Sequence, residues 1–201
     1  MSRTWYGSID NRIEEGRNYN DDSMIHEGDD ITMYYWSDRH CYYVTKVIDQ
    51  KHIFVHRYSV CADHEKAGGM GHQDWLYFKT IKEERKYIND CIDKGLIKGV
   101  EKDDLDSIVE DSDEEWVFRK NKWRQVGRYN LERWNQCLEQ AKKECRFPDD
   151  EEKVKNVAQW IIGLNDEELE KVLSGKELVK YFKLGGNVSF GVRSYYYDWE
   201  F

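Results

Sequence analysis

Three closely spaced runs of alternating residues, "ITMYYW", "CYYVTKVI" and "KHIFVHRYSV", set the strongest limit on what this chain can fold into. Each is rich in β-branched and aromatic side chains, the kinds that fit a pleated, half-buried surface. Links as short as "DQK" leave room only for tight turns, so an antiparallel meander is expected from Gly28 onward. After the loop "CADHEKAGGMGHQD", where Gly68, Gly69 and Gly71 permit unusual backbone angles, "WLYFKT" reads as a fourth strand ending that run.

The period then changes. "IKEERKYINDCIDKG" places Ile81, Arg85, Ile88 and Ile92 on one helical face, with Gly95 as the stop. "EEWVFRKNKWRQVG" reads as a hairpin with "KNK" at its tip. In "YNLERWNQCLEQAKKECRF", Leu131, Trp134, Leu138 and Ala141 recur at three- and four-residue steps. Pro148 opens a second helix with acids in its first turn, and Asn165 followed by Glu168 approaches a capping box for a third. "KELVKYFKLGG" completes a four-helix stretch from Tyr129 to Leu184, and "NVSFGVRSYYYDWEF" returns to β composition. A strand that returns after helices most simply rejoins the first sheet. The expected fold is α+β: a small antiparallel β-barrel or curled sheet with a helical insertion before the C-terminal strand. Its parts are an N-terminal arm (1–26), a β-rich core with one helix and an acidic segment (27–127), a helical block (128–185) and the returning strand (186–201).

Charge is uneven. The formal net charge is −9, and the window Glu101 to Glu115 holds nine acids against one lysine. That balance argues against non-specific nucleic-acid binding, which needs a basic face. It suits contact with a basic surface, including one built to hold nucleic acid, and Glu110, Asp111, Asp113, Glu114 and Glu115 are the candidate contact residues. The plainer alternative is a solvated acidic linker. Eight Trp, 14 Tyr and seven Phe supply apolar area for a core despite 35% charged residues. Five cysteines form no regular framework, and neither a signal-like h-region nor a membrane-length apolar run occurs, so reduced thiols in a cytosol are expected.

No motif names a reaction. All six histidines fall within the first 72 residues. Cys61, His64 and His72 offer three zinc-type ligands in one loop, with Cys41 or His56 as a fourth, although the spacing is that of neither a finger nor a ribbon. His52 and His56 share a strand face and, with Asp38 and Asp63, are the raw material of a hydrolytic metal site or an acid/base pair. In "WSDRH", Asp38 suits a turn cap, while Trp36, Arg39 and His40 could line one end of the sheet and recognise a ligand. "GGMG" lacks the lysine and helix of a P-loop, and no serine or cysteine sits in a nucleophile elbow. The terminal "YYYDWEF" alternates, with Tyr195, Tyr197 and Trp199 on one side, and suits core or interface packing. No cofactor is implied.

"GDDITMYYWSDRHCYYVTKVI", "GGMGHQDWLY", "EEWVFRKNKWRQVG" and "GVRSYYYDWEF" together resemble a group of small proteins from bacteriophages and mobile elements of gut bacteria. The likeness lies in the Trp-Ser-Asp-Arg-His signature, the Gly-rich loop and the Tyr-Asp-x-x-Phe end, and it leaves out the arm and the helical block. It implies an accessory protein that counters host defences, with an anti-CRISPR role foremost: inhibition of a type II effector nuclease by occluding a nucleic-acid groove in the host bacterial cytosol. The implied partner is an RNA-guided nuclease or another basic nucleic-acid-binding protein, with nucleic acid itself a further candidate and no membrane. Two other classes stay open: a metal-dependent nuclease using the histidine-rich sheet, and a sponge that sequesters a defence nucleotide through Trp36, Arg39 and His40.

Overall fold

A computed structural model of the chain describes residues 24–35, 38–66, 74–191 and 193–195. The meander is present as β1 (Asp30–Tyr34), β2 (Arg39–Asp49) and β3 (His52–Arg57), paired antiparallel in that order. The hairpin of β6 (Glu114–Arg119) and β7 (Lys122–Tyr129) adds to β3 through β6. Its tip is Lys120-Asn121, both at positive φ (50° and 58°), as a two-residue I′ turn requires. The returning strand β9 (Asn187–Phe190) pairs with the other edge of β1, so the chain does rejoin its first sheet. With β8 (Leu178–Lys183) the full order is β8-β7-β6-β3-β2-β1-β9.

Period-two burial puts one residue in two on a common face. Ile31 and Met33, Tyr42 and Val44, Ile53 and Val55, and Trp116 form one buried cluster, with the Trp116 ring 5.1 Å from that of Tyr42. The register of β2 against β3 slips between Val44 and Lys46 and again between Val47 and Asp49, irregularities that bend a strand. The sheet curls strongly. Five ladder steps separate β7 from β9, about 24 Å in a flat sheet, yet the rings of Trp123 and Phe190 lie 5.4 Å apart. Among the described residues no ladder joins β7 to β9, so the sheet is curled rather than a closed barrel.

Three sequence expectations are corrected. "KHIFVHRYSV" is two strands, β3 and β4 (Ser59–Ala62), and "WLYF" (β5, Trp75–Phe78) pairs with β4 in a separate two-stranded sheet instead of extending the meander. In α1 (Ile81–Asp93) the buried residues are Glu84 and Cys91, not the isoleucines, because Glu84 has a partner in the Ser59 hydroxyl. "LVKYFK" is strand β8 and not a fourth helix, because the edge of β7 offers backbone partners along its length.

Two compact units divide the chain, 1–125 with 183–201 and 126–182. In the second, α2 (Leu131–Glu144), α3 (Glu151–Ile162) and α4 (Asp166–Leu173) enclose Trp134, Cys137, Ala141, Val154, Ala158, Ile162 and Val172. Leu131, expected on that face, lies in the exposed first turn, and Cys137 fills the stripe. The three starts are capped by Asn130, Asp150 and Asn165, and the Asn165–Glu168 box expected from the sequence makes both of its bonds. Among the described residues no helix is long and apolar enough to cross a membrane.

Candidate functional site

The acidic segment is laid along α1 and tied to the sheet. Glu110 accepts hydrogen bonds from the backbone amides of Ile81 (2.7 Å) and Lys82 (2.9 Å), two otherwise unsatisfied donors of the first helical turn. Thr80 caps the same turn by accepting from the Glu83 amide. Asn89 brackets the Asp103 backbone with two bonds, one donated to its carbonyl and one accepted from its amide. Lys82 and Arg85 on α1 lie 3.4 and 3.7 Å from Asp106 and Asp103, and Lys102 pairs with Asp93. Alternating charge along one helix face therefore receives the acids of a segment without secondary structure of its own.

Four of the five candidate contact acids have partners within the fold. Asp113 accepts from the Thr45 hydroxyl at 2.6 Å and meets His56 Nδ1 at 2.9 Å. Glu115, buried, meets His52 Nε2 at 2.8 Å, and Glu114 accepts from the Trp116 indole N–H at 2.8 Å. Glu110 caps α1. Asp111 makes no such bond among the described residues and is exposed, as are Asp103, Asp104 and Asp106. His52 and His56 are thus spoken for by carboxylates of the segment that follows, a pairing the spacing of either stretch alone does not disclose.

The Arg39 of "WSDRH" faces inward. It is 5% exposed, and its Nη1 donates to the Ser194 hydroxyl at 3.2 Å, while the Ser194 amide donates to Thr32 Oγ1 at 3.0 Å. Beside this clasp the Tyr58 hydroxyl donates to Asp30 at 2.7 Å, and the Arg193 guanidinium sits over the rings of Tyr58 and Tyr77. The Tyr195 amide donates to the Tyr77 hydroxyl at 3.0 Å. Arg39 fastens the segment after β9 to the sheet, a role the sequence reading missed; "RS" in "GVRSYYY" was the available signal. His40 lies against Tyr35 (4.7 Å) and Tyr195 (6.0 Å). Burial lowers its pKa to about 4, Arg57 adds to the shift and Asp38 opposes it, so the ring is neutral at pH 7. Trp36 lies outside the described residues.

A cleft of about 220 Å³ opens between β4, α1 and the acidic segment, lined by His56, Ser59, Glu84, Arg85 and Asp111 among others. The Ser59 hydroxyl is directed at the buried Glu84 carboxylate and His56 Nδ1 at Asp113, so the cleft has no serine–histidine pair in nucleophile–base geometry. Of the zinc candidates Cys61, His64 and His72, the first two lie among the described residues. Cys61 is buried, its thiol pushed up to about 12 by burial with help from Glu84 and Cys91. The His64 ring stacks on Tyr87 at 6.4 Å, and His72 lies outside the described residues. Among the described residues no group of three or more His, Cys, Asp or Glu could hold a metal ion, and all five thiols are free.

Compared with models of known families, with curated proteins and with solved structures, the chain gives no match.

Proposed function

We propose that this chain is a non-catalytic binding protein of a bacteriophage or mobile element that disables a bacterial defence nuclease, in the first place an RNA-guided type II effector, in the host cytosol. The curled sheet would serve as a small barrel-like body, and the acidic segment would occupy a groove lined by arginine and lysine that otherwise holds phosphates. One observation carries the reading: the acids of 101–111 are held on α1 as a fixed exposed row by Glu110 and Asn89, instead of trailing as a loose linker. A fixed row loses less conformational entropy on binding than a flexible one, and complementary charge speeds encounter. The contact acids are Asp103, Asp104, Asp106 and Asp111; Glu110, Asp113, Glu114 and Glu115 hold the row in place.

The test is DNA cleavage by a purified RNA-guided type II nuclease while this protein is titrated in, with a lane lacking the nuclease. Inhibition that saturates near one equivalent, weakens with salt and is lost in the triple variant Asp104→Asn, Asp106→Asn, Asp111→Asn supports the proposal. Inhibition unchanged by that variant rejects the acidic row as the contact, and cutting in the control lane replaces inhibition with catalysis.

A further inference from the structure

Curling of the sheet creates a second feature, of the opposite sign. A groove of about 900 Å³ runs along the open seam between the β6–β7 hairpin and β9, within the sheet unit. It is lined by the rings of Phe118, Trp123 and Phe190 and by Lys122, Arg124 and Lys183, and no Asp or Glu is among its lining residues. In a chain of net charge −9 this local excess stands out, because "RKNKWR" at the hairpin tip carries four cations and no acid. Lys122, Arg124 and Lys183 form no ion pair among the described residues. The three rings pack edge to face or tilted, Phe118 to Trp123 at 5.6 Å and Trp123 to Phe190 at 5.4 Å, and all three residues are half-buried and line the groove. The opposite wall is backbone: a Cβ on Gly186 would fall 1.8 Å from the Tyr34 carbonyl oxygen, and one on Gly185 2.4 Å from the Tyr35 ring. The glycine link is pressed flat against β1 and leaves the volume open.

We propose that this groove binds single-stranded nucleic acid, with two or three unpaired bases against the rings and their phosphates against the three cations. Aromatic surface flanked by Lys and Arg is what unstacked bases on a charged backbone require. A duplex hides its base faces and needs a broad basic surface, which an acidic chain lacks. A lone nucleotide would gain from an enclosed pocket with amide donors for its terminal phosphate, and this groove is open and has no helix N-terminus at its wall. The site is separate from the acidic row and stands whether or not that row contacts a nuclease.

The experiment is fluorescence anisotropy of a short labelled oligothymidylate titrated with the full-length chain, alongside the duplex form and thymidine monophosphate as competitor. The expected result is saturable binding with a slope of about −2 in log K against log salt, from roughly 0.7 per neutralised phosphate at three phosphates. Between about 50 and 200 mM salt, binding should weaken roughly 15-fold. Lys122→Glu with Lys183→Glu should abolish it at unchanged melting temperature, and Trp123→Ala should weaken it by roughly 5- to 150-fold, the range for loss of one stacking platform. Should Trp123→Ala unfold the sheet, the two exposed lysines and the salt slope of the unmodified chain still decide. Absence of binding by the full-length chain, equal affinity for duplex, full competition by the monophosphate at equal concentration, or indifference to the lysine reversals would each overturn the proposal.

Discussion

Residues 101–115 and 119–124 are near neighbours in the chain and opposite in charge, and the fold uses the two sets of charges differently. The acidic stretch commits four of its nine carboxylates to partners within the fold, on helix amides, two histidines, a threonine and an indole N–H. The basic hairpin keeps Lys122 and Arg124 at the wall of an open groove. Formal charge therefore overstates what the acidic side can offer a partner and understates what the basic side can. Counting ionisable groups in a sequence measures supply; hydrogen-bond geometry decides how much of it reaches solvent.

That contrast can be broken at several points. The largest effect is expected at the floor of the groove, where Gly186→Ala has no room beside the Tyr34 carbonyl and should cost about 3 kcal/mol in urea denaturation, as overpacking does. Next, Glu115→Ala leaves His52 without its buried carboxylate and should cost about 2 kcal/mol, in the range for hydrogen bonds to charged groups. Glu110→Ala frees two first-turn amides of α1 and should cost about 1 kcal/mol, with faster amide exchange at Ile81 and Lys82 as the local readout. On the other side of the comparison, Lys122→Glu and Asp111→Asn should each stay within about 0.5 kcal/mol, since neither group holds the fold. If Asp111→Asn destabilised as much as Glu110→Ala, the division between holding and presenting acids would collapse.

A pH dependence is expected as well. His40 titrates near 4 in the fold and near its ordinary 6.5 when unfolded. Between those values the unfolded chain binds the extra proton, so this contribution to stability is complete above about 6.5 and is lost as pH falls toward 4. Chemical denaturation at stepped pH should show that loss, and His40→Gln should flatten it. A stability curve for His40→Gln that fell as steeply as the parent's through this window would assign the slope to other groups.

Strands were legible where alternation is strict. Ile31 and Met33, Ile53 and Val55, and the Trp116 hairpin follow directly from period two, and Asn165 with Glu168 from capping geometry. "LVKYFK" was not, since Leu, Lys and Phe suit either state; pairing with β7 and the bond from Lys180 to Glu168 decide in favour of strand. Glu84 illustrates a second limit: a carboxylate on a charged helix carries no mark of burial until Ser59 is placed against it. The groove was the least legible of all, for its walls come from residues 34–35, 118–124 and 183–190, and only the curl of the sheet brings those stretches together.

The pairing of β1 with β9 also sets a timetable. Tyr34 lies opposite Asn187, and Arg39 fastens to Ser194. At ribosomal rates of roughly 5–20 residues per second, β1 emerges roughly 8–30 s before the strand that covers it. Throughout that interval one edge of the nascent sheet offers unpaired backbone groups to any extended chain nearby, including β1 of another copy on the same messenger. Long-range pairing of this kind is also slow to form. Yield in a cell should therefore depend on how quickly the end of the sheet unit follows its beginning, and slow codons placed between the two should lower it.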